Sequence, residues 1–410
     1  MESSRSSKSS IAAIIIISAL GYFVDIYDLI LFSIVRKISL ASLGIAGNAL
    51  TTDGLFILNM QMAGMLAGGI LWGIMGDKKG RISVLFGSIL LYSIANIANG
   101  FVQTIPQYAI MRFIAGVGLA GELGAGITLV AEVMPKETRG YGTMIVATIG
   151  ILGAVAAGII GESFDWRIAY FIGGGLGIAL LIMRIGVYES GMYNAIKIQN
   201  VRRGNFLSLF TNLTSFLKYI KCITIGVPIW FIVAILITFA PEFSKQFGFA
   251  EGEIVSSKSV MFCYTGLAIG DFLSGFLSQI LKSRKKIIEA FIILEAISVL
   301  AFLFVNHFTP FYFYAMCMLL GISGGYWAVF VTNASEQFGI NIRATVTTTV
   351  PNFVRGAVVP VSIFFEILRG YTGMVYAALI VGFITIIIAY ISVRNLDETY
   401  GKDLNFLEVS

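Results

Sequence analysis

Residues 11–35 read IAAIIIISALGYFVDIYDLILFSIV, an apolar run interrupted only by Asp25 and Asp28. A helix rises about 1.5 Å per residue, so this run spans the roughly 30 Å hydrocarbon core of a bilayer with length to spare. Its reading decides the fold, because a run of this length crosses a membrane as a helix. The two carboxylates then pose a problem. An aspartate at the bilayer centre costs roughly 2.5–3.5 kcal/mol on insertion scales, and such residues are kept when they have a function. The run resembles a signal peptide behind its Ser-rich leader, with Arg5 and Lys8. No small-residue cleavage site closes it, and we read it as an uncleaved first span.

The rest of the chain repeats the pattern. Of 410 residues, 57% are apolar and only 12% charged, too apolar for a soluble domain that must show water a polar exterior. A transmembrane barrel is excluded, since its strands alternate polar and apolar residues over about 10 positions. Twelve apolar runs fall near 11–35, 55–75, 82–101, 106–131, 141–161, 166–187, 220–240, 254–281, 286–305, 310–333, 343–368 and 372–394. The expected organisation is a first six-helix bundle over 1–187, a cytoplasmic linker over 188–219, a second bundle over 220–394 and a cytoplasmic tail over 395–410. Cys222, Cys263 and Cys317 lie in or beside apolar runs, at spacings that fit neither a metal site nor a disulfide framework.

Lysine and arginine sort by side. One set of loops and termini carries 19 of them, including Lys78, Lys79, Arg81, Lys136 and Arg139, and the opposite set carries 6. The positive-inside rule puts both termini and the 188–219 linker in the cytoplasm. The net charge of +5 is therefore a topology signal and calls for no nucleic-acid partner. Six spans, a linker and six more spans form the pattern of a duplicated transporter. The turn after the second run, GIMGDKKGRI (73–82), and that after the eighth, GFLSQILKSRKKI (275–287), both place a polar residue four after a glycine and then a basic cluster.

On these motifs the sequence resembles the major facilitator superfamily over nearly its whole length. Gly73, Asp77, Gly80 and Arg81 match that family's loop 2–3 signature, with Lys78 where an arginine is usual and Ile82 in place of the trailing base. The resemblance implies a conformational lock at the cytoplasmic face, made by these residues with Glu132 and Arg139 of loop 4–5. In the second copy Gln279 replaces the acid. RFIAGVGLAGELGAGITLVAEVMPKETRG (112–140), YESGMY (188–193) and the Asp-x-x-Asp of the first span resemble the metabolite:proton symporter and sugar-porter-like branches. TIGILGAVAAGIIG (148–161) has the glycines of the drug-antiporter motif but lacks its proline, which favours uptake over export.

The intramembrane charges are the candidate machinery. Asp25 and Asp28 share a helix face. Asp28 and Arg112 lie at matching depths, roughly 10 and 9 Å below the outer surface by helical rise, so we expect them to pair. Asp25, one turn deeper, is the expected protonatable member. Glu122, among Gly118, Gly121, Gly124 and Gly126, is a third candidate for proton coupling, with helix bracing as its alternative. Arg112 and the near-midplane Arg355 are candidates to hold an anionic substrate. Trp230, Tyr326 and Trp327 fall on spans 7 and 10, which in the fold resembled match the cavity-lining spans 1 and 4. With Tyr22 and Tyr27 they offer an apolar body and one hydrogen-bonding tip. Each aromatic also has a plain packing reading. Asp271 and Glu295 are expected to brace the second half.

No phosphate-binding loop of the ATPase type is present, and the sole histidine, His307, falls in an outer loop. Hence no cofactor or metal is expected, the chain is not read as an enzyme, and proton coupling must use carboxylates. The expectation is an all-α polytopic protein of the bacterial or archaeal inner membrane, monomeric in the lipid bilayer. It would take up a small organic solute, favouring an organic anion, by proton-coupled alternating access. Proton-driven export of a drug-like or siderophore-like molecule, uptake of a neutral sugar, and a non-transporting receptor are the alternatives. Na⁺ stays open as coupling ion.

Overall fold

The computed structural model describes residues 2–79, 81–122, 124, 126, 130, 134, 139–188, 208–304, 309–339 and 342–402. Among these, ten helices are long and apolar enough to cross a membrane, and two shorter apolar ones, Ser83–Asn99 and Ile105–Leu119, complete a set of twelve. We number them as spans in chain order. Spans 1 to 4 are Glu2–Ser42, Ala49–Lys79, Arg81–Asn99 and Ile105–Leu119. Span 5 runs through Arg139–Ile151 and Gly153–Ser163, and span 6 is Trp166–Tyr188. Spans 7 to 9 are Leu213–Ile237, Ser256–Ile280 and Arg284–Phe304. Span 10 comprises Pro310–Gly324 and Trp327–Glu336, span 11 Arg343–Gly356 and Val358–Thr372, and span 12 Met374–Arg394.

Local chemistry sets the ends and the breaks. Span 4 begins where the Thr104 hydroxyl accepts the Gln107 N–H and Pro106 occupies the first turn. Span 7 carries Pro228, which cannot donate a backbone hydrogen bond, and then widens to a π-helix over Ile232–Ile237. Span 10 is broken at Gly325 and Tyr326. There Asp271 of span 8 lends a carboxylate oxygen to the Ala328 N–H at 3.0 Å, capping the second segment from a neighbouring helix. A Cβ on Gly325 would lie 2.4 Å from Gly270 Cα, so the break also rests on backbone-to-backbone contact. Close approaches of this kind recur: a Cβ on Gly64, Gly116 or Gly153 would meet a backbone carbonyl at 2.0–2.2 Å. In lipid, where apolar side chains gain little by leaving the solvent, such packing holds helices together.

The first and last six spans meet along two seams. At the end that carries the span 1–2 loop, Arg36 donates to Glu242 Oε1 at 2.7 Å, to Thr238 O at 3.2 Å and to Leu50 O at 3.0 Å. Its guanidinium also lies 4.3 Å from the Phe239 ring. Thr238 adds a hydrogen bond to Ser33 at 3.0 Å. Span 1 is thus longer than the apolar run suggests, and Arg36, which resembles a loop residue in sequence, is fully buried. Toward the other end Asn352 of span 11 donates to Ala120 O at 2.8 Å, and a Cβ on Gly73 would lie 3.3 Å from Thr349. Among the described residues the two halves thus touch near both ends.

Candidate functional site

Between these seams lies a buried polar column that belongs to span 1 and its neighbours. Asp25 and Asp28 are both 0% exposed, and none of their carboxylate oxygens has a hydrogen-bond partner. That is a costly arrangement, because a buried carboxylate is normally paired or hydrogen-bonded. Asp28 sits against bare helix: a Cβ on Gly173 of span 6 would lie 2.1 Å from its Oδ1. Arg112 reaches Asp28, but through the main chain. Its Nη2 donates to the Asp28 carbonyl at 3.0 Å, Nε to Gln61 Oε1 at 3.2 Å and Nη1 to Asn96 Oδ1 at 3.1 Å. The ion pair expected from matched depths is not made: Arg112 bonds the Asp28 main chain and leaves its carboxylate unpartnered. Arg112 still acts on the Asp28 carboxylate through its charge, as the cation facing it.

Asp25 faces the second half. The charges acting on it are those of Arg355 of span 11 and Glu122. Arg355 is 1% exposed, and none of its three guanidinium nitrogens has a hydrogen-bond partner. Its Cζ lies 5.5 Å from the Trp230 ring and 5.6 Å from the Trp327 ring, and the two rings meet edge to face at 6.5 Å. Two indoles thus hold a cation by their π-faces while leaving every N–H of its fork unsatisfied. The Trp327 indole N–H also lacks a partner. Tyr22 completes this group, with its ring against Gly150 of span 5 and within reach of the Arg355 and Asp25 charges.

Other sequence candidates fall elsewhere. Tyr27 donates to Ala169 O at 2.9 Å and ties span 1 to span 6. Tyr326 donates to Ile225 O at 3.0 Å and lies 3.1 Å from Glu295 Oε2, deep in the second half. Glu122 forms a bidentate ion pair with Arg184 of span 6, both 1% exposed, with Gly21 leaving room for it. Among the lock residues, Gly73 faces span 11, while Gly80 and Glu132 lie outside the described residues, as do the side chains of Asp77, Arg81 and Arg139. His307 also lies outside them. Asp271 braces the second half by capping the span 10 break from span 8. Sequence reasoning missed Gln61, Asn96 and Arg184 as partners. Polar residues inside the runs ILNMQMAG and YSIANIAN were the available signal for the first two. Among the described residues no group of three potential metal ligands occurs.

A broken, duplicated twelve-helix bundle around intramembrane charges finds its match directly: the sequence profile of the Major Facilitator Superfamily covers residues 10–358. The chain belongs to the major facilitator superfamily. Membership places it among multi-pass membrane transporters, not enzymes. A cis,cis-muconate transport protein of Acinetobacter baylyi is 26% identical over 382 residues, 87% of each chain. A niacin transporter of the same organism is 32% identical over 142 residues, 34% of this chain and 32% of that one. The solved structure of the proton:xylose symporter XylE bound to 6-bromo-6-deoxy-D-glucose superimposes with a TM-score of 0.72. It is 17% identical and covers 97% of this chain and 98% of that one, a likeness of fold.

Proposed function

We propose that this superfamily member is a proton-coupled symporter that takes up a small organic anion, best of all a planar carboxylate. The observation that carries this reading is Arg355, a buried guanidinium with all nitrogens unpartnered between two tryptophan rings. A carboxylate matches its fork with two parallel charge-assisted hydrogen bonds, and an unsaturated or aromatic body stacks on the indoles. The muconate and niacin transporters among the relatives handle carboxylates, which supports the class.

Coupling follows from charge. Asp25 and an incoming carboxylate compete for one arginine, and two anions beside one cation at a buried, low-dielectric place repel. A proton on Asp25 removes the competitor and lets substrate take the guanidinium. Loss of the proton on the other side returns Arg355 to Asp25 and expels the substrate. In this cycle the loop 1–2 end faces outward, the Arg36–Glu242 seam opens to admit substrate, and the loop 2–3 signature locks the cytoplasmic end. Arg112 serves Asp28 instead of the substrate, because each of its nitrogens is already engaged.

The test uses purified protein in liposomes with a pH dye inside and no imposed gradient. Nicotinate, benzoate or cis,cis-muconate added outside should acidify the lumen, and xylose should not. Arg355→Gln should weaken half-saturation by about 10–100-fold, the worth of charge-assisted hydrogen bonds at roughly 1.5–3 kcal/mol. Alkalinisation on solute addition would mean antiport and overturn the uptake reading. Acidification by xylose with Arg355→Gln unaffected would move the function to neutral sugars.

A further inference from the structure

A second polar feature runs from the loop 1–2 end toward Asp28 and plays no part in gripping a solute. Tyr108 of span 4 and Tyr170 of span 6, both 0% exposed, share a hydrogen bond of 2.7 Å between their hydroxyls. Tyr108 also donates to Ser39 Oγ at 3.4 Å. Ser39 lies one turn from Ser42, which is exposed at the end of span 1. The rings are clamped: Phe32 and Tyr170 meet Tyr108 edge to face at 5.4 and 6.0 Å, and Trp166 stacks on it at 5.8 Å. At the inner end, the Arg112 guanidinium lies 5.5 Å from the Tyr170 ring, and Gly173, against which Asp28 Oδ1 rests, is one turn along span 6 from Tyr170. The polar and titratable groups around Asp28 are Arg112, Asn96, Asp25, Tyr27, Tyr92 and Tyr170.

Resting on the proton-coupled reading above, we infer that Ser39, Tyr108 and Tyr170 form a hydroxyl relay delivering the proton from the loop 1–2 surface to Asp28, inside the first six spans and apart from the solute path. At each oxygen one O–H bond forms and another breaks, so every hydroxyl ends as it began; the proton arrives on a carboxylate oxygen of Asp28 and passes to Asp25, one turn along span 1, leaving Asp28 a carboxylate again. The last gap, from the Tyr170 hydroxyl to Asp28, is closed by rotation of the Asp28 side chain or by one water. The geometry suits a relay more than a brace. Both tyrosine oxygens sit in one file with Ser39, buried one turn beneath the exposed Ser42, at its head and an unpartnered carboxylate at its foot. The rings need no hydroxyl to keep their packing.

The experiment compares two assays on the same liposomes. Solute-driven lumenal acidification needs net proton movement, whereas exchange of labelled against unlabelled nicotinate at equal concentrations does not. Tyr170→Phe and Tyr108→Phe keep the rings and remove one oxygen each. Acidification should slow about tenfold or more, given that a positioned proton-transfer group contributes about 10²–10⁴-fold, with exchange within twofold of the parent. Ser39→Ala, which breaks the chain at its head without touching the aromatic cluster, should show the same split. Unchanged acidification in Tyr170→Phe would overturn the relay alone. Loss of both activities in all three variants would assign the file to packing and overturn it as well. A parent protein that carries nicotinate with no proton movement would overturn the coupling reading, and the relay with it.

Discussion

Asp28 and its seat on span 6 show how tightly single residues are specified. The carboxylate fits only because position 173 has no side chain: the Cβ of an alanine would lie 2.1 Å from Oδ1 and 2.8 Å from the Tyr27 ring. Tyr27 cannot yield, since its hydroxyl is tied to Ala169 O. Gly173→Ala must therefore turn the Asp28 carboxylate out of its place. Coupled uptake should fall by at least about tenfold, as displacements of about 1 Å cost up to 10²-fold in other active sites. Gly175→Ala, on the same helix with nothing within 4 Å, is the silent control, read in the same dye assay. Residues of this kind were only half legible. Asp25, Asp28, Glu122 and Arg355 stand out in sequence because lipid penalises them. Their partners do not, since Glu122 meets an arginine 62 positions away and Arg112 reaches Asp28 through a carbonyl. Which of two acids faces which arginine depends on helix rotation, and periodicity fixes that only loosely.

At the scale of the element, apolar runs gave good positions for the spans, because bilayer thickness sets one length for all of them. The departures lie where one helix depends on another. GISGGYW signals a pliable segment in span 10, yet the place of its break is set by Asp271, more than fifty residues earlier, and by the Gly270–Gly325 contact. This dependence can be measured. Asp271→Ala leaves the Ala328 N–H without its acceptor and should cost about 0.5–2 kcal/mol, as for other lost helix caps. Asp271→Asn keeps an acceptor oxygen and should melt close to the parent in detergent. Trp327, the first residue of the capped segment, should lose its place beside Arg355 in the alanine variant, so nicotinate half-saturation should rise with the drop in melting temperature. If the two substitutions melted alike, the cap would have no energetic role.

Over the whole molecule, the short segment after span 12 stitches the second half together outside the membrane. Glu398 accepts hydrogen bonds from the Ser283 hydroxyl and from the backbone N–H groups of Arg284, Lys285 and Tyr400. Thr399 reaches Asn333 at 3.0 Å, and Gln337 reaches the Asp397 carbonyl at 2.7 Å. Partial burial alone would raise the Glu398 carboxyl, but these hydrogen bonds outweigh it and hold the group below its ordinary range. A depressed folded value means that the unfolded chain takes up the proton first. The contribution of Glu398 is thus complete above the ordinary glutamate value of about 4.3 and fades as pH falls through and below it. Melting temperature should decline over that interval, and Glu398→Gln should flatten the decline while lowering the plateau above it. Nothing in the sequence marks this clasp, since a glutamate in a polar tail resembles any solvated charge until the loop between spans 8 and 9 folds onto it.

The unpaired guanidinium of Arg355 has one more consequence, in volts. If a monocarboxylate enters only with one proton, the loaded chamber carries no net charge beyond that of the empty one. The membrane potential, worth about 2.3 kcal/mol per elementary charge at 100 mV, then adds nothing to accumulation. Only the pH difference drives it, about tenfold per unit. A cell relying on this protein would concentrate its substrate in acidic surroundings and lose that advantage at neutrality, however strongly its membrane were energised.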